Sequence, residues 1–171
     1  IYDSSRRHFN LFFDNAWNSL VEMDSYGHDV EAGWLLCEAA RVLEDRQLMD
    51  RANRLALDVT DACLVEGLSD KGYMMYEKKG GRTTGHASWW GQIETMIACV
   101  NAWQISGNDV YLQSADTVWT FVKDCMIDRE YGEWYSDCFD GEPKKDTPKV
   151  SMWRCPYHTV RLGVEIHNRL K

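Results

Sequence analysis

What most constrains this chain is a recurrence. A helical pattern, a tight turn, a second helical pattern and a glycine-containing hairpin signal occur twice in succession, and a third round begins near the C-terminus. The first round opens at Tyr26-Gly27-His28-Asp29-Val30-Glu31 and continues with Ala32, Leu35, Leu36, Ala39 and Leu43 on one face. After the charged turn Glu44-Asp45-Arg46, residues Leu48, Ala52, Leu55, Val59, Ala62 and Cys63 keep helical spacing up to Gly67. Asp70 to Tyr76 and the following Gly80-Gly81 read as a small hairpin or ordered loop. The second round opens at Trp89-Trp90-Gly91-Gln92-Ile93-Glu94, with Ile93, Met96, Ile97, Val100 and Trp103 in register. It turns at Gly107-Asn108-Asp109 and resumes with Leu112, Ala115, Trp119, Val122 and Met126. Asp128 to Tyr135 falls where the first hairpin fell, and a polar loop from Gly141 to Lys149 leads to the last helix. A period of roughly 60 to 70 residues built this way describes an all-α array of αα-hairpins joined by short β-hairpins or loops. Residues 6 to 22, an apolar-aromatic run broken by Asp14-Asn15, suit an extended arm or hairpin whose His8 has no evident partner and is structural.

The last round begins at Trp153-Arg154-Cys155-Pro156-Tyr157-His158. Proline fits a helix's first turn, where its missing N–H has no acceptor to lose, so a helix is expected from Pro156 to about Leu170. His158 then sits among orphan N–H groups at the positive end of the dipole, a setting that favours the neutral ring. Trp153 lies just outside, offering a flat face to a sugar or another ring. Trp153 and Tyr157 serve equally well as core aromatics, and His158 as a cap. Position within the period weighs on the choice. His28 with Glu31, Trp90 with Glu94, and Tyr157-His158 with Arg161 all open the first helix of their units, at spacings that keep each set on one face. If these helices line an axis, two histidines, two acids, an arginine and several tryptophans meet at one rim.

Length and charge narrow the partners. A chain of 171 residues suits one domain over residues 1–171. Its net charge of -8 repels phosphate backbones and anionic lipid, so neither nucleic acid nor a membrane is expected. No apolar run approaches the roughly 20 residues of a membrane helix. Six cysteines without a C-x-x-C pair, mostly on apolar helix faces, suit free thiols in the cytoplasm. Eight tryptophans and eight tyrosines exceed what packing alone asks for and suit a carbohydrate or ring-shaped ligand.

Two imidazoles facing one carbon from opposite sides form an acid/base pair, one removing a proton and the other returning one to the opposite face. That inverts a stereocentre next to a carbonyl, and an open-chain reducing sugar passing through an enediolate is a natural substrate. Arg161 with nearby N–H groups could stabilise the oxyanion, and Glu31 could orient His28 or hold a hydroxyl. No metal or cofactor is required, and no cluster shows the spacing zinc prefers, since His28, Asp29 and Glu31 equally suit a solvated helix start. Glu94 and Asp29 could instead be the carboxylate pair of a glycosidase.

At these residues the chain resembles the N-acylglucosamine 2-epimerase superfamily, and within it the cellobiose 2-epimerase branch. Tyr26 to Leu36 is similar to the family's G-H-D-[IV]-E-A-x-W-L-L segment, Trp89 to Glu94 to W-W-x-Q-x-E, Gly132 to Tyr135 to G-E-W-Y, and Trp153 to Arg161 to W-K-x-P-Y-H-x-x-R. Gly33, where Ser is frequent, and Arg154, where Lys is common, depart mildly. The resemblance implies an (α/α)6 barrel, an α/α toroid, represented here by about half the barrel. It also implies epimerisation at C2 of the reducing-end glucose of β-1,4 disaccharides. His28 and His158 would be the acid/base pair, Trp90 and Trp153 would stack on sugar, and Glu31, Glu94, Arg161 and Tyr157 would support or bind substrate. An aldose-ketose isomerase or N-acylglucosamine 2-epimerase of the same superfamily, or a non-catalytic carbohydrate-binding fragment, are the alternatives. Members of the family are longer, with a further essential histidine and an arginine in an N-terminal half. The chain is therefore expected to be the C-terminal portion, its apolar flanks covered by that missing half or by self-association.

Overall fold

A computed structural model describes all residues, Ile1–Lys171. Five helices carry the fold: α1 (Tyr26–Leu43), α2 (Arg46–Gly67), α3 (Trp89–Ser106), α4 (Val110–Phe121), which runs on into a π-helical turn over Val122–Met126, and α5 (Tyr157–Arg169). Local chemistry sets their ends. The Asp45 carboxylate accepts from the N–H groups of Gln47 and Leu48, starting α2 two residues after α1 stops. Gly107, at φ 70°, closes α3 in the left-handed conformation glycine adopts without strain.

α1, α3 and α5 pack side by side with α3 in the middle, while α2 covers α1 and α4 covers α3. The central position of α3 explains its composition. Every residue from Gly91 to Ala102 is buried, and a helix enclosed on all sides must be apolar or internally satisfied all round. One core group joins Tyr26, Val30 and Trp34 of α1 to Val59 and Cys63 of α2 and to Ile93 and Ile97 of α3. A second gathers Tyr73, Ala87, Met96, Val118, Phe121, Val122 and Met126.

The expected face of α1 is rotated. Leu35, Leu36, Ala39 and Leu43 are exposed, whereas Tyr26, Val30, Gly33, Trp34, Cys37 and Ala40 point inward. The physical reason is that α1 must meet both α2 and α3, and the small Gly33 and Ala40 allow that close approach where leucines would not. Leu36, Leu43, Leu48 and Leu55 instead line an open apolar groove between α1 and α2. No residue of α5 is buried. No helix is long and apolar enough to cross a membrane. The six thiols are unpaired; Cys155 is exposed and Cys125 half-buried, unlike the other four.

Short strands fix where the helices begin. β1 (Tyr2–Asp3) pairs with β2 (His8–Phe9), and the arm continues to a Phe13–Ser19 bridge, in keeping with the extended arm expected there. β3 (Met23–Asp24) joins the hairpin of β4 (Glu77–Lys79) and β5 (Arg82–Thr84), which turns at Gly80-Gly81. β6 (His86–Ser88) likewise joins β7 (Asp137–Phe139) and β8 (Glu142–Pro143). The second hairpin thus lies later than Asp128 to Tyr135, and its second strand falls inside the loop expected from Gly141; the earlier segment contributes a single Ile127–Trp134 bridge. Each three-stranded sheet ties the strand just before an α1- or α3-type helix to the hairpin after the following helix. This holds the N-termini of α1 and α3 on one side of the molecule.

Candidate active site

That side carries the chemical residues. Ser25, just ahead of α1, places its Oγ 2.8 Å from His28 Nδ1. The hydroxyl can accept from Nδ1–H, which leaves Nε2 with a free lone pair facing out. The exposed His28 ring tilts against Trp90, with centroids 4.6 Å apart. Gly27 makes this possible: a Cβ there would lie 2.6 Å from the Trp90 ring, far inside contact distance.

His158, in the first turn of α5, also lies against Trp90, with centroids 5.9 Å apart. Its surroundings differ from the bare helix start expected. His158 Nδ1 donates to Glu94 Oε1 at 2.6 Å, and Glu94 is fully buried in α3. Trp34 Nε1 donates to the second oxygen of Glu94 at 2.9 Å, and Arg161 Nη1 reaches Oε1 at 3.0 Å. The same Arg161 nitrogen holds Glu31 Oε1 at 2.6 Å, and its guanidinium lies 4.1 Å from the Tyr157 ring centroid. A buried carboxylate demands such company, since an uncompensated charge in the interior costs several kcal/mol. An ionised carboxylate only accepts, so Glu94 fixes the His158 tautomer with Nδ1 protonated and Nε2 free, the same presentation as His28.

Seven of the eight expected site residues therefore meet at one rim: His28, His158, Trp90, Glu31, Glu94, Arg161 and Tyr157. Trp153 does not join them. It is 82% exposed, and the reason lies in its neighbour. Arg154 is turned inward, 3% exposed, over the Trp89 ring and donating to the Lys149 and Trp134 carbonyls; successive residues of an extended turn point to opposite sides. Glu31 does not orient His28 either; it serves Arg161, while Ser25 holds the imidazole. Asp29 is fully buried on the far side of α1, bound to His8 and the Phe9 N–H, so it forms no glycosidase pair with Glu94.

Ser25 and Trp34 are the supporting residues that sequence reasoning missed. Trp34 stands three residues after Glu31, a spacing that already set the two on one helix face. Gln92 turns out to be a clamp: its amide bonds the Met74 N–H and carbonyl and the Ser88 carbonyl, locking the loop after α2 to the start of α3. Three groups bring possible metal-ligating atoms within 4.8 Å of one another: Glu31, Glu94 and His158 at the rim, and His8 with either Asp24 and Glu66 or Asp29 and Cys63 below the arm. At the rim, Arg161 Nη1 holds Oε1 of both Glu31 and Glu94, and His158 bonds that same Glu94 oxygen.

The helical layer that carries this rim has the fold of sugar-epimerase structures. The backbone superposes on a sugar epimerase from a ruminal bacterium with a TM-score of 0.94 at 35% identity, covering 98% of this chain and 43% of that one. The sequence profile of the N-acylglucosamine 2-epimerase (GlcNAc 2-epimerase) family matches residues 2–161, and the chain belongs to that family. It is 40% identical to a cellobiose 2-epimerase of Bacteroides fragilis over 97% of this chain and 43% of that protein. It is 33% identical to a cellobiose 2-epimerase of Dictyoglomus turgidum over 99% of this chain and 44% of that protein. The chain thus spans less than half the length of these relatives.

Proposed function

We propose that this chain supplies the C-terminal part of a sugar 2-epimerase that interconverts the C2 epimers of the reducing-end glucose of a β-1,4 disaccharide such as cellobiose. On this reading it is about half of an (α/α)6 barrel, and the apolar flanks of α1 and α5 face the remainder. The observation that carries the function is the pair of imidazoles packed against Trp90, each bonded through Nδ1, which leaves Nε2 to take up or give a proton.

One Nε2 removes the proton from C2 of the open-chain sugar, and the C–H electron pair moves into a C1–C2 double bond while O1 takes the negative charge. The other imidazole, which enters the turnover as an imidazolium with Nε2 protonated, delivers that proton to C2 from the opposite face, and the enediolate collapses to the epimeric aldose. Each turnover leaves the two rings with exchanged roles, which suits a reversible reaction. Glu94 stabilises the imidazolium of His158 as it forms, and Arg161, bound to both Glu31 and Glu94, holds the two acids in place. Trp90, beside both rings, would stack on the sugar.

The test is proton NMR of cellobiose incubated with the protein in D2O. Deuterium at reducing-end C2 together with a mannose-type reducing end is the expected result. A ketose product would make the chain an isomerase that returns the proton to C1, and an unchanged disaccharide would overturn activity for this chain by itself.

A further inference from the structure

A second histidine cluster lies under the N-terminal arm, on the opposite side of α1 from the rim. His8 is 1% exposed, and its Nδ1 donates to Asp29 Oδ2 at 2.7 Å. An imidazole that donates through Nδ1 to a carboxylate presents Nε2 as a lone pair. Here Nε2 is buried without a hydrogen-bond partner and lines a polar cavity of about 260 Å³ that also holds Asp24 and Glu66.

We propose that His8 Nε2, Asp24 and Glu66 form a binding site for a divalent cation of the zinc type, with Asp29 as the group that orients the histidine. The spacing supports it. His8 Nε2 and Glu66 Oε1 are 3.5 Å apart, and all three ligand atoms lie within 4.8 Å of one another. Two ligands on a tetrahedral ion, with bonds of about 2.1 Å, stand roughly 3.4 Å apart. By contrast, the 2.6 Å from His158 Nδ1 to Glu94 Oε1 is a hydrogen-bond distance with no room for an ion between. The surroundings support it too. Arg6 Nη1 holds Asp24 through Oδ1, and Lys78 Nζ holds Glu66 through Oε2, so each carboxylate keeps an oxygen for the cavity. A carboxylate on the remote nitrogen of a ligating histidine is the arrangement that commonly fixes ring orientation at zinc sites. Arg6 and Lys78 also line the cavity, and against their two positive charges the carboxylates of Glu22, Asp24, Glu66 and, behind His8, Asp29 leave two negative charges for a divalent ion, with room at a fourth position for water.

The experiment is titration of chelator-treated protein with Zn2+ under calorimetry, with Co2+ as the spectroscopic probe. One equivalent should bind, with visible cobalt bands of a nitrogen and oxygen ligand set. Glu66→Gln, at a half-exposed side chain, and Asp29→Asn should each weaken binding about 10- to 100-fold. Glu31→Gln at the rim should leave binding unchanged. Absence of binding, binding insensitive to Glu66→Gln, or a thiolate-to-cobalt band from Cys63 would each overturn the assignment.

Discussion

Two imidazole–carboxylate pairs flank α1, and they are built for different ends. At the rim, His158 and Glu94 share a carboxylate with Trp34 and Arg161, and the histidine's free nitrogen faces the open side where Trp90 and His28 stand. Under the arm, His8 and Asp29 are both buried, and the free nitrogen faces two more carboxylates instead of an aromatic wall. The same local bond thus orients a base toward a cleft in one place and a ligand toward an acidic cavity in the other. What separates them is the second neighbour of the imidazole.

The comparison breaks first at Glu94. Replacing it with Gln keeps the volume but leaves one acceptor oxygen where there were two: with that oxygen on Trp34, the amide nitrogen faces Arg161 and donates to His158 Nδ1, moving the ring proton to Nε2, and with it on His158 and Arg161, the amide N–H opposes the Trp34 N–H. A wrong tautomer at a general base costs on the order of 10²- to 10⁴-fold. E94Q should therefore lower kcat by about that much with KM little changed, read as C2 deuterium exchange in D2O. Near-normal exchange would make Glu94 a buried structural charge like Asp29.

Asp29→Asn tests the other pair, where the expected loss is stability. Removing one partner of a buried pair costs about 3–5 kcal/mol, or a fall in Tm of the order of 10 °C for a chain of this size, measured by thermal unfolding. Burial pushes the pKa of His8 down, but the hydrogen bond and charge of Asp29 outweigh it and raise it above the ordinary value. A raised folded-state pKa gives stability that is fully present below the unfolded value of about 6.5 and is lost as pH rises through the folded value. The gap between wild type and D29N should accordingly be widest just below pH ~6.5 and narrow on the alkaline side. A gap that widens with pH would mean His8 is held neutral.

The difference between the clusters also marks how far the sequence was legible. The rim could be anticipated because each of its residues opens a helix and the helices recur, so chain position alone put His28, Glu94 and His158 at matched ends. The strands that hold those ends together are two or three residues long, too short for any alternation to be visible. His8, Asp24 and Glu66 belong to an arm, a strand and a helix end with no shared period. Nothing local betrays their meeting, and His8 looked partnerless because Asp29 reaches it only through the packing of the arm on α1. The exposed Leu35 and Leu36 misled for a related reason: hydrophobicity says that a face is covered, but not by which neighbour.

Trp153 gives the smallest expected effect and the sharpest contrast within the rim. Motif position grouped it with Trp90 as a sugar-stacking residue, yet the inward turn of Arg154 leaves it 82% exposed while Trp90 packs beside both imidazoles. An exposed side chain away from packing contributes within about 0.5 kcal/mol to stability. Trp153→Ala should thus leave Tm unchanged and KM for cellobiose within about two-fold, since 0.4 kcal/mol is a factor of two. Trp90→Ala, which removes a ring packed on His28, should raise KM by about ten-fold, the equivalent of 1.4 kcal/mol. If W153A raised KM as much as W90A, the 151–154 turn would have to fold over bound sugar and bring Trp153 back to the rim, and the seven residues now gathered there would become eight.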